Sequence, residues 1–423
     1  MKNIVVFGAG KSATCLIDYL TRICTEKQWT LTVGDADAEA LKKKRIKSKA
    51  LNPVQVNVKN PAERTALILQ ADLVISLLPP TLHILIARDC LANSRILLTA
   101  SYVDEEIRKL ASGLEQKKLL FLCEMGLDPG IDHMSAMQII HRIQGLGGKI
   151  QSFRSHTGGL VAPESDDNPW HYKVSWNPAN IVKAGSAGAV FREGGIIKKI
   201  GYQNLFEQTG LVEIKPLGYY AWYPNRDSLA YIPVYGLESA HSFIRTTLRH
   251  PDFCRGWKNL VKAGLTDDEK TIPSTYKTVA EWSKSLLPYV DDSNKNMYAQ
   301  LGLFENDSIP AATSSAKILQ GLLEKNWKMK ETDRDMILML HEFEYELNHQ
   351  SVYLRSQLIV KGENALRTAM AKTVGLPLGI AAKLILENKI SLYGLHIPIV
   401  REIYEPVLKE LEKEGIRFQE TIN

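Results

Sequence analysis

The chain has 423 residues, of which 45% are hydrophobic and 23% are charged, a composition typical of a globular protein with room for two or three domains. Its 52 basic residues nearly balance its 47 acidic residues. This balance argues against nucleic acid as a partner and only weakly favours an anionic small molecule. No apolar stretch is expected to reach the length of a membrane span, and the first apolar run reads as a core strand. We therefore expect no membrane partner and no cleaved signal.

The cysteines and histidines give little sign of special chemistry. The cysteines are odd in number and include no C-x-x-C pair, which predicts reduced, buried thiols in a cytoplasmic protein. The ten histidines show no H-x-x-x-H or H-E-x-x-H spacing. The sequence therefore predicts no metal site.

The most informative segment is an apolar run at residues 4–7 that leads directly into G-A-G-K-S-A. This order predicts a buried strand, a glycine turn and a helix N-terminus, which together cradle a pyrophosphate. Gly8 would permit the turn, Gly10 would let the phosphates approach the backbone, and Ala13 would let the helix pack on the strand. Lys11 and Ser12 lie in the same turn and are further candidates for cofactor binding.

Short apolar runs alternate with helical patterns up to about residue 127. We predict strands at residues 3–7, 30–34, 54–58, 72–77, 95–99 and 119–123. Such alternation indicates βαβ units and a parallel sheet with helices on both faces, and hence a Rossmann-type α/β domain.

The second predicted strand ends at Asp35. A carboxylate at this position usually accepts hydrogen bonds from the adenosine ribose, which favours NAD over NADP. The alternative is a loop aspartate that caps the next helix. The basic run at residues 42–45 could assist a 2′-phosphate, although such a run is more often a solvated helix face.

Three predicted strands end at the carboxyl edge of the sheet, where open α/β folds bind ligands. The fourth strand leads into Leu77, Leu78 and two prolines, and the fifth ends near Ser101 and Tyr102. After the last strand, Asp128 lies in a turn where a carboxylate could orient a substrate amine or move its proton. Asp132 and His133, which follow, are more simply a helix cap and a first-turn residue.

The pattern changes after residue 127. Residues 128–250 read as an α+β domain, residues 251–334 as amphipathic helices, and residues 335–361 as a hairpin with one wet face. His156 ends a predicted strand and is a candidate acid or base, or a structural loop histidine. Two segments carry arginines, one with Arg226 and one with Arg245 and Arg249. They could clamp substrate carboxylates, or form surface salt bridges.

These motifs together resemble the glutamate-forming saccharopine dehydrogenases over nearly the full chain. The most specific matches are Ile75-Ser76-Leu77-Leu78-Pro79, Ser101-Tyr102, the run from Gly126 to His133, Gly158-Gly159-Leu160, Asp167-Asn168-Pro169, Tyr172-Lys173, Ser175-Trp176, the run from Tyr223 to Ser228, and Arg245 with Thr247-Leu248-Arg249. They are far more specific than the glycine turn.

The resemblance implies a homodimer of three-domain chains. We expect a Rossmann domain at residues 1–127 plus 366–423, an α+β substrate-binding and dimerisation domain at 128–250 plus 335–365, and a small helical domain at 251–334. The implied reaction of lysine metabolism oxidises saccharopine with NAD(P). Hydrolysis of the imine then yields L-glutamate and 2-aminoadipate 6-semialdehyde. Members of the family use NADP or NAD, and Asp35 makes NAD the preferred cofactor here, with NADP possible.

The resemblance also implies roles for site residues. Tyr102 and Asp128 match the pair near the reacting nitrogen. The expected carboxylate-binding and substrate-binding residues are Ser101, Tyr102, Asp128, Arg226, Arg245, Thr247 and Arg249. Beyond the glycine turn and Asp35, the expected cofactor contacts are Ser76, Leu77, Leu78, Ser101, Leu127, Asp128, Pro129 and Trp176.

One position departs from the fungal pattern. Fungal members carry a cysteine just before the glycine pair, where this chain has Thr157. A threonine supplies no thiolate, so any catalytic part assigned to that cysteine does not transfer.

Two rival interpretations share the Rossmann half. One is a dehydrogenase of the same architecture that acts on another reductively coupled amine, such as carboxynorspermidine. The other is a noncatalytic NAD(P)-binding sensor. The segment with Arg245 and Arg249 and the run from Gly126 to His133 favour saccharopine over the first. The presence of Asp128, Tyr102 and the arginines argues against the second.

Overall fold

A computed structural model describes residues 1–43, 48–287 and 292–423 of the chain. It divides into two compact units. The first contains Met1–Arg142 and Leu366–Arg417, and the second contains Ile143–Ala365 and Phe418–Asn423. Residues 44 and 45 of the basic run at residues 42–45 lie outside the described residues.

The strands, in chain order, are β1 (Asn3–Phe7), β2 (Thr30–Asp35), β3 (Leu51–Gln55), β4 (Leu73–Ser76), β5 (Ile96–Thr99), β6 (Leu120–Leu122), β7 (Lys149–Val161), β8 (Ala189–Glu193), β9 (Ile196–Ile200), β10 (Gly210–Ile214), β11 (Gly218–Pro224), β12 (Arg226–Asp227), β13 (Ser242–Arg249), β14 (Asp335–Leu347), β15 (Gln350–Lys361), β16 (Gly394–His396) and β17 (Gln419–Ile422). The helices are α1 (Thr14–Lys27), α2 (Ala38–Lys43), α3 (Pro61–Gln70), α4 (Pro80–Ala92), α5 (Glu105–Arg108), α6 (Ala111–Lys117), α7 (Ile131–Gly145), α8 (Pro178–Val182), α9 (Tyr202–Leu205), α10 (Ile232–Tyr235), α11 (Pro251–Lys262), α12 (Val279–Leu286), α13 (Asp292–Gln300), α14 (Ser315–Asn326), α15 (Ala369–Leu386) and α16 (Arg401–Lys413).

A parallel sheet organises the first unit. Its described strands follow the order β16-β6-β5-β4-β1-β2-β3. The order reverses at β1, so the switch point of the sheet lies at the carboxyl end of β1, where open α/β folds bind ligands. Residues 4–7 of β1 are fully buried, as expected of a strand covered on both faces. The predicted Rossmann-type fold is confirmed.

The third strand differs from the prediction. We predicted residues 54–58, and the structure places β3 at Leu51–Gln55. The strand contains Pro53 and pairs with β2 at the edge of the sheet formed by the described strands, where a residue without an N–H is tolerated. Val56 and Val58, which carried the apolar pattern, are buried in the core just beyond the strand.

Helix α15 returns the chain to the first unit. It is long and apolar enough to cross a membrane, but 83% of it is buried inside the protein. We expected no apolar stretch of this length, and that expectation was wrong. The burial of α15 is typical of a core helix. Glycine allows its close approach to α1, since a Cβ on Gly375 would lie 2.9 Å from the backbone nitrogen of Leu16.

A mixed sheet organises the second unit, with a described path of β10-β11-β13-β7-β14-β15-β17. Strands β14 and β15 are antiparallel with Leu347 opposite Gln350, which confirms the predicted hairpin. Asn348 and His349 have φ values of 51° and 62°, as a two-residue turn of this kind requires.

The expected helical domain shares its core with the rest of the second unit. Trp257, Trp282 and Trp327 come from residues 251–334, and they are buried in one cluster with Trp170 and Tyr223. These helices therefore belong to the second unit in this structure. The expected boundaries at residues 127 and 423 also differ from those of the units, because residues 128–142 belong to the first unit and β17 pairs with β15 in the second.

A buried polar network crosses the second sheet. His156 on β7 is 1% exposed and hydrogen-bonds to Thr246 Oγ1 (2.7 Å) and Glu342 Oε2 (3.0 Å). Tyr353 donates to the other oxygen of Glu342. Burial alone would raise the pKa of Glu342, but its bonds to His156 and Tyr353, with the charges of His156 and Arg355, lower that pKa to about 2. His156 is thus a structural residue of the sheet.

A tight turn follows β6 and leads into α7. Gly126 N–H donates to Pro129 O (2.9 Å), and Gly130 N–H donates to Asp132 Oδ1 (2.6 Å). Gly130 has a φ of +145°, and a Cβ there would lie only 2.1 Å from Gly126 O. The turn that presents Asp128 therefore requires glycine at position 130.

Replacing Gly130 with alanine should lower the thermal unfolding midpoint by about 5 °C or more, because the new Cβ collides with rigid backbone. Gly145→Ala is the matched control, since its Cβ would meet nothing within 4 Å, and should leave the midpoint unchanged or slightly higher. Equal midpoints for the two variants would refute the requirement.

Acid should weaken the second sheet through Glu342. A carboxyl with a lowered folded-state pKa stabilises the fold above its ordinary value of 4.5, and this stabilisation is lost as the pH falls towards about 2. Glu342→Gln should therefore lower the unfolding midpoint at pH 6, with a smaller gap from wild type at pH 3. Glu346→Gln, an exposed change on the same strand, should show no such pH-dependent gap. A Glu342→Gln gap equal at both pH values would contradict this account.

Candidate functional site

The glycine turn at the end of β1 has the features of a phosphate cradle. Gly8 has a φ of +109°, and a Cβ there would lie 2.8 Å from Leu77 O. A Cβ on Gly10 would meet nothing within 4 Å, so this side of the turn is open. Gly10 and Ala13 are the N-cap residues of the 3₁₀ turn Lys11–Ala13 and of α1, and neither makes a side-chain cap bond. A glycine turn that is open beside Gly10 and leads directly into a helix N-terminus fits the pyrophosphate of a dinucleotide.

Asp35 lies beside this turn. Its Oδ2 accepts a hydrogen bond from Ala9 N–H (2.6 Å), and its Oδ1 accepts one from Asp37 N–H (2.8 Å). The carboxylate therefore both contacts the glycine turn and holds the backbone that enters α2. The bond from Asp37 N–H supports the segment that enters α2, and the contact of Asp35 with an adenosine ribose stays a prediction.

A buried histidine connects two of the expected contact residues. His83 Nδ1 hydrogen-bonds to Ser76 Oγ (2.8 Å), and its Nε2 hydrogen-bonds to Ser101 Oγ (2.8 Å). Burial lowers the pKa of His83 to about 4, so the ring is neutral near pH 7 and one nitrogen donates while the other accepts. The sequence analysis missed His83, because nothing in its helical position signals a bridge between two strand ends.

Tyr102 and Asp128 meet at the same edge of the sheet. The Tyr102 hydroxyl donates to Asp128 Oδ1 at 3.1 Å. Behind them, Glu124 Oε1 accepts from Val103 N–H (3.1 Å), and its Oε2 hydrogen-bonds to fully buried His133 (2.9 Å). His133 thus fixes the segment after Tyr102, in agreement with its structural interpretation. The structure brings together the pair that the resemblance assigned to the reacting nitrogen.

The second unit places the expected carboxylate-binding residues on one strand face. Arg245, Thr247 and Arg249 alternate along β13, so their side chains share a face. Thr157 on β7 and Tyr223 on β11 are both in register with Thr247. The position of the family cysteine therefore lies on the arginine face.

His156 lies on the opposite face of the sheet. It neighbours Thr157 in sequence, and successive strand residues point to opposite sides. It contacts Thr246 and packs near the Trp222 ring, with ring centroids 5.8 Å apart. This placement separates His156 from the arginines and explains why its partners are structural.

Arg249 has an unusual environment for a charged side chain. It is 3% exposed, and its guanidinium lies over the rings of Tyr172 (5.2 Å) and Phe253 (5.5 Å). One nitrogen donates to Leu248 O (2.8 Å), but buried Nε has no hydrogen-bond partner among the residues that the structure describes. Within the described ranges, no carboxylate forms an ion pair with Arg249. Such a buried cation is costly unless a ligand supplies the missing anion.

The two arginine segments are joined by backbone contacts. Asn225 N–H donates to Arg245 O (2.8 Å), and Arg245 N–H donates to Ser228 Oγ (3.0 Å). Arg245 is buried with its guanidinium 4.5 Å from the Tyr231 ring centroid. Arg226 is exposed and has a φ of +52°. The two segments are therefore in contact, but Arg245 is buried whereas Arg226 is exposed to solvent.

Tyr172 links Trp176 to the arginine face. Trp176 Nε1 donates to the Tyr172 hydroxyl (3.0 Å), and the Tyr172 ring lies beside Arg249. The sequence motif included Tyr172, but no role was assigned to it, since a buried tyrosine usually indicates only core packing. Here it orients both a cation and an indole.

Comparisons with known proteins agree with this architecture. The family model described as saccharopine dehydrogenase NADP binding domain matches residues 4–122, and the one described as saccharopine dehydrogenase C-terminal domain matches residues 126–416. The dinucleotide expected at the glycine turn is accordingly NAD(P). The model named for the C-terminal domain alone covers more than half of the chain.

Curated relatives extend the match to the whole chain. It is 32% identical to alpha-aminoadipic semialdehyde synthase, mitochondrial, of Bos taurus, across 99% of this chain and 47% of that protein. The chain thus spans about half the length of such relatives. It is 31% identical to saccharopine dehydrogenase [NADP(+), L-glutamate-forming] of Saccharomyces cerevisiae, with 99% of both chains covered.

A solved structure shows the same fold. Apo saccharopine dehydrogenase (L-Glu forming) from Saccharomyces cerevisiae superposes with a TM-score of 0.90 at 29% identity and covers 100% of both chains. The family models, the full-length relatives and the shared fold give one answer: the chain belongs to the saccharopine dehydrogenase family.

Proposed function

We propose that the chain catalyses the NAD(P)-dependent, reversible oxidation of saccharopine and the hydrolysis of the resulting imine to L-glutamate and 2-aminoadipate 6-semialdehyde, in lysine metabolism. The name and full coverage of the yeast relative support this reaction. The observation that carries it is the buried Arg249 guanidinium, whose Nε has no hydrogen-bond partner in the described part of the chain.

Arg249 suits a substrate with several carboxylates. A guanidinium binds a carboxylate through two parallel hydrogen bonds, and burial strengthens such a pair. Saccharopine carries three carboxylates, so one of them would supply the anion that Arg249 lacks among the described residues. Arg245 and Thr247 on the same face, and Arg226 in the adjoining segment, would bind the remaining polar groups.

The first unit would hold the cofactor. The backbone from Gly8 to Ala13 would bind the pyrophosphate, and Asp35 would face the adenosine ribose. Ser76 and Ser101, held by His83, would border the nicotinamide side of the sheet edge. When bound there, NAD(P) would supply the acceptor for the hydride of the substrate carbon.

Asp128 and Tyr102 would manage the substrate proton. Hydride leaves a carbon next to nitrogen only when the amine is neutral, so a base must first take the proton of the ammonium form. Asp128 would accept that proton, and the Tyr102 hydroxyl that donates to its Oδ1 would orient the carboxylate. Water then attacks the imine, and the same pair would return a proton to the departing amine.

Two other predictions rest on the family resemblance and on composition alone. They are the homodimer and the cytoplasmic location. Neither bears on the assignment of the reaction, since the proposed roles use only residues of one chain.

Purified protein given saccharopine should reduce NAD(P) and release L-glutamate in equal amounts. The expected effect of Arg249→Lys is a fall in kcat/KM of about 10–100-fold, mainly through KM, because an ammonium cannot replace two parallel guanidinium bonds. Dinucleotide affinity should not change, since Arg249 lies in the second unit.

Arg192→Lys is the matched control, because the side-chain bonds that Arg192 makes to described residues go to the carbonyls of Glu238 and Ala240. Its kinetic constants should remain near wild type. Turnover of carboxynorspermidine but not saccharopine would overturn the substrate assignment, and dinucleotide binding without any reduction would favour the sensor. An unchanged KM in Arg249→Lys would show that Arg249 does not bind the substrate.

Asp35 predicts that kcat/KM with NAD exceeds that with NADP, because its carboxylate would repel a 2′-phosphate. The names of the family model and fungal relatives, which specify NADP, weigh against this preference. Asp35→Ser should shift the ratio towards NADP. Asp37→Ser, a nearby change outside the turn contact, should leave the ratio unaltered. If the wild-type protein preferred NADP, the proposal that Asp35 makes NAD the preferred cofactor would be refuted.

A further inference from the structure

Two histidines and an aspartate converge at the N-terminus of α11. His250 caps this helix, Asp252 lies in its first turn, and His171 comes from the segment before Tyr172. One donor atom from each residue lies within 4.8 Å of the other two. The three side chains are 30–33% exposed, so ions in solution can reach them.

The distances between these atoms are poor for direct hydrogen bonds. His171 Nε2 and His250 Nδ1 each lie 3.4 Å from Asp252 Oδ2. Charge-assisted bonds between imidazole and carboxylate are usually about 2.7–2.9 Å long. In a tetrahedral zinc site each ligand atom lies about 2.1 Å from the ion, so two ligand atoms lie about 3.4 Å apart. The two distances to Asp252 Oδ2 match this separation.

Neighbouring side chains orient the cluster in the manner of a metal site. Asp166 Oδ2 lies 2.6 Å from His171 Nδ1, so the ring donates there and directs the Nε2 lone pair towards Asp252. Metal-bound histidines usually have such a carboxylate behind them. Arg255 pairs with Asp252 Oδ1 at 2.6 Å, which leaves Oδ2 towards the two rings.

One contact competes with a metal. Asp252 N–H donates to His250 Nδ1 at 3.3 Å, a long bond that caps α11. The His171 and His250 rings also lie close, with centroids 3.7 Å apart and planes inclined by 33°. A small movement of His250 would exchange the long cap bond for a shorter metal bond.

We propose that His171, His250 and Asp252 form a Zn²⁺ site, with water as the fourth ligand. The ion would tie the segment before Tyr172 to the start of α11. Those two segments also carry the Tyr172 ring and the Arg249 side chain, so the site would brace the edge of the arginine face. Sequence spacing did not predict it, because His171 is distant in sequence from the other ligands.

The test uses the full chain, purified without a polyhistidine tag, and Zn²⁺ alone as the probe in calorimetry against a competing chelator. One Zn²⁺ per chain should bind, and Co²⁺ in its place should give the intense visible absorption of a tetrahedral site. His171→Ala and Asp252→Asn should abolish the stoichiometric binding. Asp166→Asn should weaken it by about 10–100-fold.

His349→Ala is the control, since His349 is 98% exposed on a distant turn, and it should bind Zn²⁺ like wild type. Circular dichroism would establish that each variant is folded. Absence of one-to-one binding by wild type, a Co²⁺ spectrum without tetrahedral character, or wild-type affinity in Asp252→Asn would each overturn the site. None of these measurements depends on turnover of saccharopine.

Discussion

The buried cation of Arg249 is the constraint on which the proposed chemistry of the second unit depends. Its guanidinium is removed from water, lies over two aromatic rings, and has no carboxylate partner among the described residues. Folding alone would rarely retain such a cost. In the proposed function a substrate carboxylate would offset this cost. The same side chain would then both weaken the ligand-free fold and give specificity for the substrate.

Strand alternation explains how neighbouring polar residues acquire different roles. His156 and Thr157 are adjacent in sequence but point to opposite faces of β7. His156 completes a buried network with Glu342, whereas Thr157 lies opposite Thr247 on the arginine face. The histidine that looked most like an acid or base in the sequence is thus part of the framework, and threonine occupies the place of the family cysteine.

Local patterns predicted much of the first unit. Adjacent residues encode the continuous apolar strands, the glycine turn and the run from Gly126 to His133. The turn and the run both follow the carboxyl ends of strands in the parallel sheet. The third strand was misplaced because buried valines continue beyond the edge strand that contains Pro53. His83 was missed because its two partners, Ser76 and Ser101, meet it only after three elements pack together.

The second unit was harder to predict, because its contacts join distant parts of the chain. The helices of residues 251–334 read as a separate domain, yet their tryptophans share one core with Trp170. Arg249 was identified by motif, but its burial, the Tyr172 ring beneath it and its missing anion follow from tertiary packing. The same limitation hid the convergence of His171 with His250 and Asp252.

The most direct test of the central claim is a crystal structure of this protein with saccharopine and NAD(P) bound. The account predicts that one substrate carboxylate lies within hydrogen-bonding distance of the Arg249 guanidinium, with Nε as one of its donors. Saccharopine bound in an ordered, productive pose with no carboxylate on Arg249 would contradict it.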